Sequence, residues 1–578
     1  MTSPAGDTSA NARSPRRLNP LPDRSRPLFR PAPAELVLWL LFATVTLVMV
    51  CFHEPWRDEA QQYVLVRDTT LPELVRHMKY ESQFLLWYLL SWLLVRLCGF
   101  SIFSLALVHW AVSCCTAYLV LRRAPFRLLT RVALVFSVMF AFEFTVIARH
   151  YAIGVFLLAV LLVNWRERFR RPILYACGIA VCASTNLPVW ACLGGLCITI
   201  GCEAVVQKRL SWRVAAAMLI VLFGFALAMA EIYNGHGFGS PYVSYRKDQV
   251  AGFTLEKHFR DMFSAVSNTA FFPLFQWDHQ APRSVKAGFS VLDWCLLWLL
   301  VAGFFSTLLY FAWKSVSGLL CFATNAFLLL SLQYIGGFHS MRHVGFLLVG
   351  TVAACWIASA EEQDGGSSPA PIPRWASSAL SSAAGAAAAL LLFMQVLLLP
   401  SFVWSEIKYP FSHGYATARF ILGREYPADI PIYCLTARSN VAILPWLPGR
   451  AFYIFDQKEM DREEFRPEDK STYSKWGRSH GFFMDEMADV AAANLKPGQF
   501  ALFVVAMNED PNMIPSNMIL QYDSSRSEPP VWGPYVEEFK VYAVVRPDEV
   551  QLYRPDGPHE RPSFIPEDAH IREAPADR

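Results

Sequence analysis

The chain has 578 residues, 54% of them hydrophobic, 14% aromatic and only 17% charged, with a net charge of +3. A soluble chain carries closer to a quarter charged residues. That composition excludes an ordinary soluble enzyme, and so small a charge argues against a nucleic-acid partner.

The first 33 residues are rich in Pro, Arg and Ser and have no apolar run. They read as a disordered tail, and the six arginines from Arg13 to Arg30 assign it to the cytoplasm by the positive-inside rule. The segment from Ala34 is long enough to span and has no cleavage site after it, so it reads as a membrane helix, not a signal peptide. A bilayer core about 30 Å thick needs roughly 20 apolar helical residues. Blocks of that kind predict about eleven spans: 34–52, 102–121, 132–148, 151–165, 173–186, 188–206, 214–232, 288–311, 316–334, 344–360 and 376–399.

With the N-terminus inside, the short cytoplasmic loops are 122–131, 166–171, 207–213 and the turn at Lys314. The first holds four arginines and no acid, the sign expected of a cytoplasmic loop. The linker at 361–374 has three acids and one Arg, but acids count little in this rule. Segment 84–97 is apolar but short and interrupted by Arg96, so it reads as a membrane-hugging helix on the outer face. Twelve of the thirteen cysteines lie in or beside apolar segments, where Cys acts as a small hydrophobe. Only Cys434 falls in the C-terminal region, so no disulfide is expected within it.

On this topology the unusual polar clusters all fall on the outer side. They are His53-Glu54-Pro55-Trp56-Arg57-Asp58-Glu59, then Glu143 with Arg149-His150-Tyr151, then Ser184-Thr185-Asn186, and His339-Ser340-Met341-Arg342-His343. Charge at membrane depth is costly, so convergence on one face asks for a shared polar cavity. Taken singly, Arg149 and Arg342 read equally well as residues that snorkel to lipid headgroups, and Asp58-Glu59 as a solvated helix start.

The stretches Trp56-Arg57-Asp58-Glu59-Ala60-Gln61, Leu86-Trp87-Tyr88-Leu89-Leu90 and Phe142 to Ala152 resemble the bacterial integral-membrane glycosyltransferases of the GT-C fold. They are most similar to a largely uncharacterised branch of it. Arg342-His343-x-Gly345 and Pro410-Phe411-Ser412 belong to the same resemblance, which covers nearly the whole chain apart from its tails. The acidic pair is shared across the fold, including protein O-mannosyltransferases and the aminoarabinose transferase of lipid A.

The resemblance implies a polyprenyl-phosphate-linked sugar donor and a glycan, lipid or protein acceptor outside the membrane. It makes Asp58 the base and Glu59 its partner, with Arg149, Arg342 and His343 as phosphate ligands; Arg57, Glu143, His150, Tyr151 and Asn186 complete the expected substrate-binding set. Where the family has a Gly-His-Pro-Pro-like turn, this chain has Glu81-Ser82-Gln83-Phe84-Leu85. The polar contact of that His is either absent or made by Gln83. Many GT-C enzymes carry an acid in the second outer loop that helps bind a divalent metal. Here the turn offers Arg149-His150-Tyr151, with Glu143 nearly two helical turns earlier, so no metal ligand and no cofactor are assigned, and a divalent metal stays open as an alternative.

From Pro400 the pattern changes. Short strands at 430–434, 451–455, 500–505 and 539–545 alternate with helical patterns at 414–424, 439–447 and 485–495. The organisation expected is a cytoplasmic tail (1–33), a transmembrane domain (34–400) with outer loop helices at 53–97, a soluble α/β domain on the outer face (401–548) and a disordered tail (549–578). The whole would sit in a bacterial cytoplasmic membrane. A lipid-linked glycan flippase would show an internal repeat with polar groups at the midplane, and no repeat is evident; a glycan polymerase or ligase would share the topology.

Overall fold

The computed structural model describes residues 31–81, 83–233, 303, 306–311, 314–336, 341–363 and 374–408, and then 411–424, 426, 430–434, 441–447, 452–454, 462–463, 488–489, 491–506, 517–524 and 539–550. Nearly all of both expected tails, most of the expected span 288–311, Ser82, His339, Ser340, Pro410 and most of the linker 361–374 lie outside the described residues.

Helices follow the apolar blocks. They are α1 (Pro33–Phe52), α2 (Arg57–Asp68), α3 (Leu71–Glu81), α4 (Leu85–Cys98), α5 (Ile102–Arg123), α6 (Leu128–Val135), α7 (Tyr151–Val163), α8 (Pro172–Ala183), α9 (Leu187–Val206) and α10 (Trp212–Ile232). After the undescribed stretch come α11 (Val316–Gly336), α12 (Met341–Gln363) and α13 (Arg374–Lys408). Among the described residues, α1, α5, α9, α10 and the Gly345–Glu362 part of α12 are long and apolar enough to cross a membrane. The chain is a helical, multi-pass membrane protein.

Side-chain pairs fix which helix ends share a level. Trp39 of α1 donates to the Cys114 carbonyl of α5 at 2.9 Å, and Trp110 of α5 donates to Thr46 of α1 at 3.0 Å. The two helices are therefore antiparallel, and the end of α1 lies beside the start of α5. At the opposite end, Arg122 and Arg131 converge on Glu35, and Arg168 and Ser317 converge on Glu203. Elsewhere helices touch through small residues: a Cβ on Gly195 would lie 2.6 Å from the Cys321 carbonyl, so only glycine lets α9 and α11 approach this closely.

Helix α4 begins and finishes at one end of the bundle. The Leu85 N–H donates to Glu231, near the end of α10, and the Leu86 N–H to the Ser184 carbonyl after α8. Its other end turns through Gly99, at φ +68°, into Ser101, which caps α5. Both ends of α4 therefore lie at the level where α8 and α10 end and α5 begins.

The expected span 132–148 differs: it is not one helix. After α6, Ser137 bonds locally to the Leu134 carbonyl and the Phe140 N–H, competing with the helical ladder. A π-turn over Met139–Glu143 follows, and then irregular chain as far as Tyr151. Freed carbonyls at membrane depth need partners. Ser113 donates to the Phe144 carbonyl at 2.9 Å, the Thr145 hydroxyl to the Phe140 carbonyl at 2.6 Å, and His109 Nδ1 lies 3.2 Å from the Thr145 carbonyl.

The C-terminal region forms α14 (Gly414–Gly423) and strands β1 (Ile432–Cys434), β2 (Phe452–Ile454), β3 (Arg462–Glu463), β4 (Ala501–Ala506), β5 (Met518–Asp523) and β6 (Phe539–Val544). They make one sheet in the order β3-β2-β1-β4-β6-β5. Strand β1 runs parallel to β2 and β4, while β3, β5 and β6 pair antiparallel. Both faces are covered: Ile432, Leu502 and Val541 pack toward α14, and Tyr433, Phe503 and Tyr542 toward Ala488–Leu495. Burial on two sides explains the continuous apolar runs of β4 and β6. Ala60 of α2 and Ile102 of α5 join the first of these clusters, so the sheet domain shares a core with the helix that follows α1.

Candidate active site

The chain leaves α1 at His53 and runs extended to Trp56, which starts α2. Asp58 and Glu59 therefore sit in the first turn of α2, where carboxylates suit the helix dipole. Their environments differ. The Glu59 side chain is 3% exposed and is surrounded by donors. One of its oxygens faces His53 Nε2 at 2.9 Å and the Trp56 N–H at 3.2 Å, and the other accepts the Ala148 N–H at 2.6 Å. Asp58 is 21% exposed and faces cations instead. Arg149 Nη1 lies 2.5 Å from its Oδ2, Arg57 Nε 3.7 Å from its Oδ1 and Arg342 Nη1 4.0 Å from its Oδ2.

Around this pair the broken segment supplies Glu143, Arg149, His150 and Tyr151, and the start of α12 supplies Arg342 and His343. Arg342 is 5% exposed, lies 4.6 Å above the Trp56 ring and has its Nε 3.8 Å from Glu143. Its Nε and Nη1, and Oε2 of Glu143, make no hydrogen bond among the described residues. The Tyr151 hydroxyl meets His343 Nε2 at 2.8 Å, and the His150 ring lies 4.2 Å from the Tyr151 ring.

Charge states follow from these neighbours. Burial acts against an ionised His53, but Glu59 and then Glu406 hold its pKa up to about 10. Glu406 reaches His53 Nδ1 at 3.1 Å from near the end of α13. Burial likewise opposes an ionised Glu59, and His53 outweighs it, so that carboxyl stays below its usual range. Burial and then Arg149 keep His150 neutral, well below the usual histidine range. Burial works against the charge on Arg149, but Asp58 reinforces it.

Three of the four sequence clusters thus meet within a few ångströms. Asn186 of the remaining one is fully buried and already occupied: its Oδ1 caps α9 by accepting the Val189 N–H at 2.8 Å, and its amide donates to Thr185. Gln83 lies between α3 and α4, and no contact among the described residues joins it to the Asp58–Arg149 pair. Glu406, His109 and Ser113 were not singled out from sequence. The only signal for Glu406 was an acid close to the end of a long apolar helix, and for His109 a lone histidine within a span. Phe411, 4.8 Å from the His53 ring and 6.0 Å from Trp56, closes the back of the site. Among the described residues no group of three His, Cys, Asp or Glu is arranged to hold a metal ion.

The chain is similar in structure to ArnT from Cupriavidus metallidurans. The crystal structure of that protein bound to undecaprenyl phosphate matches with a TM-score of 0.43 at 14% identity, over 89% of this chain and 98% of that one. Its apo state matches with the same TM-score at 12% identity, over 88% and 98%. A likeness at that level gives no residue-by-residue correspondence. No protein-family model and no curated protein matches the chain.

Proposed function

We propose that the chain is a glycosyltransferase that moves a sugar from a polyprenyl-phosphate donor to an acceptor hydroxyl at the outer face of a bacterial cytoplasmic membrane. One observation carries the reading. A partly exposed carboxylate, Asp58, stands against Arg149 and beside Arg342, a buried cation with hydrogen-bonding capacity to spare. Buried donors without acceptors are rare and costly, and an arginine fork suits phosphate oxygens.

In this reading the lipid phosphate is held by Arg149 and Arg342, with His343 and Tyr151 beside it. Asp58 accepts the proton of the acceptor hydroxyl as that oxygen bonds to the anomeric carbon. The bond from that carbon to the phosphate oxygen breaks on the opposite face, and the lipid phosphate leaves with the electron pair, giving inversion. The arginines offset the charge that develops on the phosphate. Glu59 takes no proton, because its oxygens are committed to His53, Trp56 and Ala148.

The test is purified protein incubated with a panel of radiolabelled polyprenyl-phosphate sugars. The Asp58→Asn variant should lose roughly 10²–10⁴-fold in transfer rate with donor binding nearly unchanged. Arg149→Lys should weaken donor binding, since an ammonium cannot reproduce the planar fork. Normal transfer by Asp58→Asn would remove Asp58 as base. No transfer or hydrolysis by the parent, but movement of lipid-linked glycan across vesicles, would favour the flippase.

A further inference from the structure

The helix start that carries Asp58 is held at two adjacent points. Glu59 binds the Ala148 N–H, and Asp58 pairs with Arg149, so neighbours on α2 meet neighbours on the broken segment. Behind Glu59 lies His53, and behind His53 lies Glu406, 353 residues away in sequence. All three side chains are 4% exposed or less. Phe411 covers the imidazole from the side, three residues beyond α13.

We propose that Glu406 and His53 are positioning residues: a clasp from the end of α13 that makes His53 donate to Glu59 and so sets the register in which α2 presents Asp58. An imidazole between two carboxylates donates to both only when it is protonated, and Glu406 is the outer acceptor that fixes the direction of the ring toward Glu59. Glu406→Gln can still bond Nδ1, because its amide either accepts from Nδ1–H or turns an N–H toward Nδ1 of the neutral ring, whose Nε2–H then donates to Glu59. Glu406→Leu leaves Nδ1 without that partner and releases the ring from α13. The charged and titratable groups facing His53 are Glu59 on α2, Glu406 on α13, His109 on α5 and Glu143 on the π-turn. Arg149 lies beyond Glu59. Among the described residues, the two bonded carboxylates are those that touch the imidazole nitrogens.

The function of the clasp rests on Asp58 being the base, so the experiment separates the two claims. Full-length protein in nanodiscs is followed by hydrogen exchange over Trp56–Gln61 and Phe144–Tyr151, for the parent, Glu406→Leu and Glu406→Gln. In Glu406→Leu, protection of the Ala148 amide should fall at least about tenfold, the scale of one lost buried hydrogen bond. Glu406→Gln, which can still bond Nδ1, should keep most of the protection. Unchanged protection in Glu406→Leu, or an equal loss in Glu406→Gln, overturns the clasp. In the transfer assay, Glu406→Leu should lower kcat by roughly ten- to a hundredfold with KM for the donor unchanged, as expected of a displaced catalytic group. Full kcat alongside lost Ala148 protection would also overturn it. Asp58→Asn is run in parallel: if that variant transfers normally, the base assignment fails, while the exchange data still decide whether the clasp exists.

Discussion

At the scale of single residues, the acidic pair of α2 divides its work by environment. The sequence set Asp58 and Glu59 side by side with nothing to separate them except the geometry of a helix, which points neighbours about 100° apart. That difference puts Glu59 among three donors and leaves Asp58 facing guanidinium groups at a partly open surface. Removing one member of a buried charged pair costs about 3–5 kcal/mol, because the partner is left uncompensated. Glu59→Gln should therefore lower the thermal midpoint of the purified protein markedly, and Asp58→Asn should lower it less, because the Asp58–Arg149 pair is partly open to water. Equal melting of the two variants would contradict this division. Gln83 and Asn186 show where residue-level reading stopped. A polar residue at a membrane boundary looks the same whether it awaits a ligand or caps a helix, and Asn186 caps α9.

At the scale of elements, the informative feature is the break between α6 and α7. Hydropathy from Val132 to Ala148 is that of a span, so the sequence predicts a helix there. Ser137 and the carbonyl partners on α5 make the break tolerable. Those partners lie 31 and 36 residues away, beyond the reach of any local pattern. Ser113→Ala should leave the Phe144 carbonyl without its donor, at a cost of about 1–3 kcal/mol. It should reduce stability, and loosen donor binding if Arg149 shifts with the segment; a melting curve and a donor titration check both. Helix α4 was legible for a simpler reason. A helix of 14 residues with Arg96 near its end cannot comfortably cross a bilayer.

At the scale of the whole molecule, polar groups collect at two ends of the bundle, and the arginine-rich loop 122–131 marks the end opposite the site. Cysteine-accessibility labelling should therefore reach an engineered Cys at Thr70 from outside the cell and one at Pro125 only from inside; outside labelling at Pro125 would overturn the orientation. Stability should also depend on pH through His53. Its pKa is raised from 6.5 to about 10 on folding, so its contribution is complete below pH 6.5 and is lost as the pH rises toward 10. The slope is up to about 1.4 kcal/mol per pH unit, and His53→Gln should flatten it. Composition and the spacing of apolar blocks determined the class, the helix positions other than the break at 136–150, and the strands β1, β2, β4 and β6, because bilayer thickness and side-chain period act locally on the chain. The two-residue β3 and the half-buried β5, whose sequence Met-Ile-Leu-Gln-Tyr-Asp mixes apolar and polar positions, carried too little pattern to be read. Motifs named Asp58, Glu59, Arg149, Arg342 and His343 but not their arrangement. Only the tertiary structure decided that Glu59 is enclosed and Asp58 open, and that Glu406 stands behind His53, because those relations depend on residues brought together from distant parts of the chain.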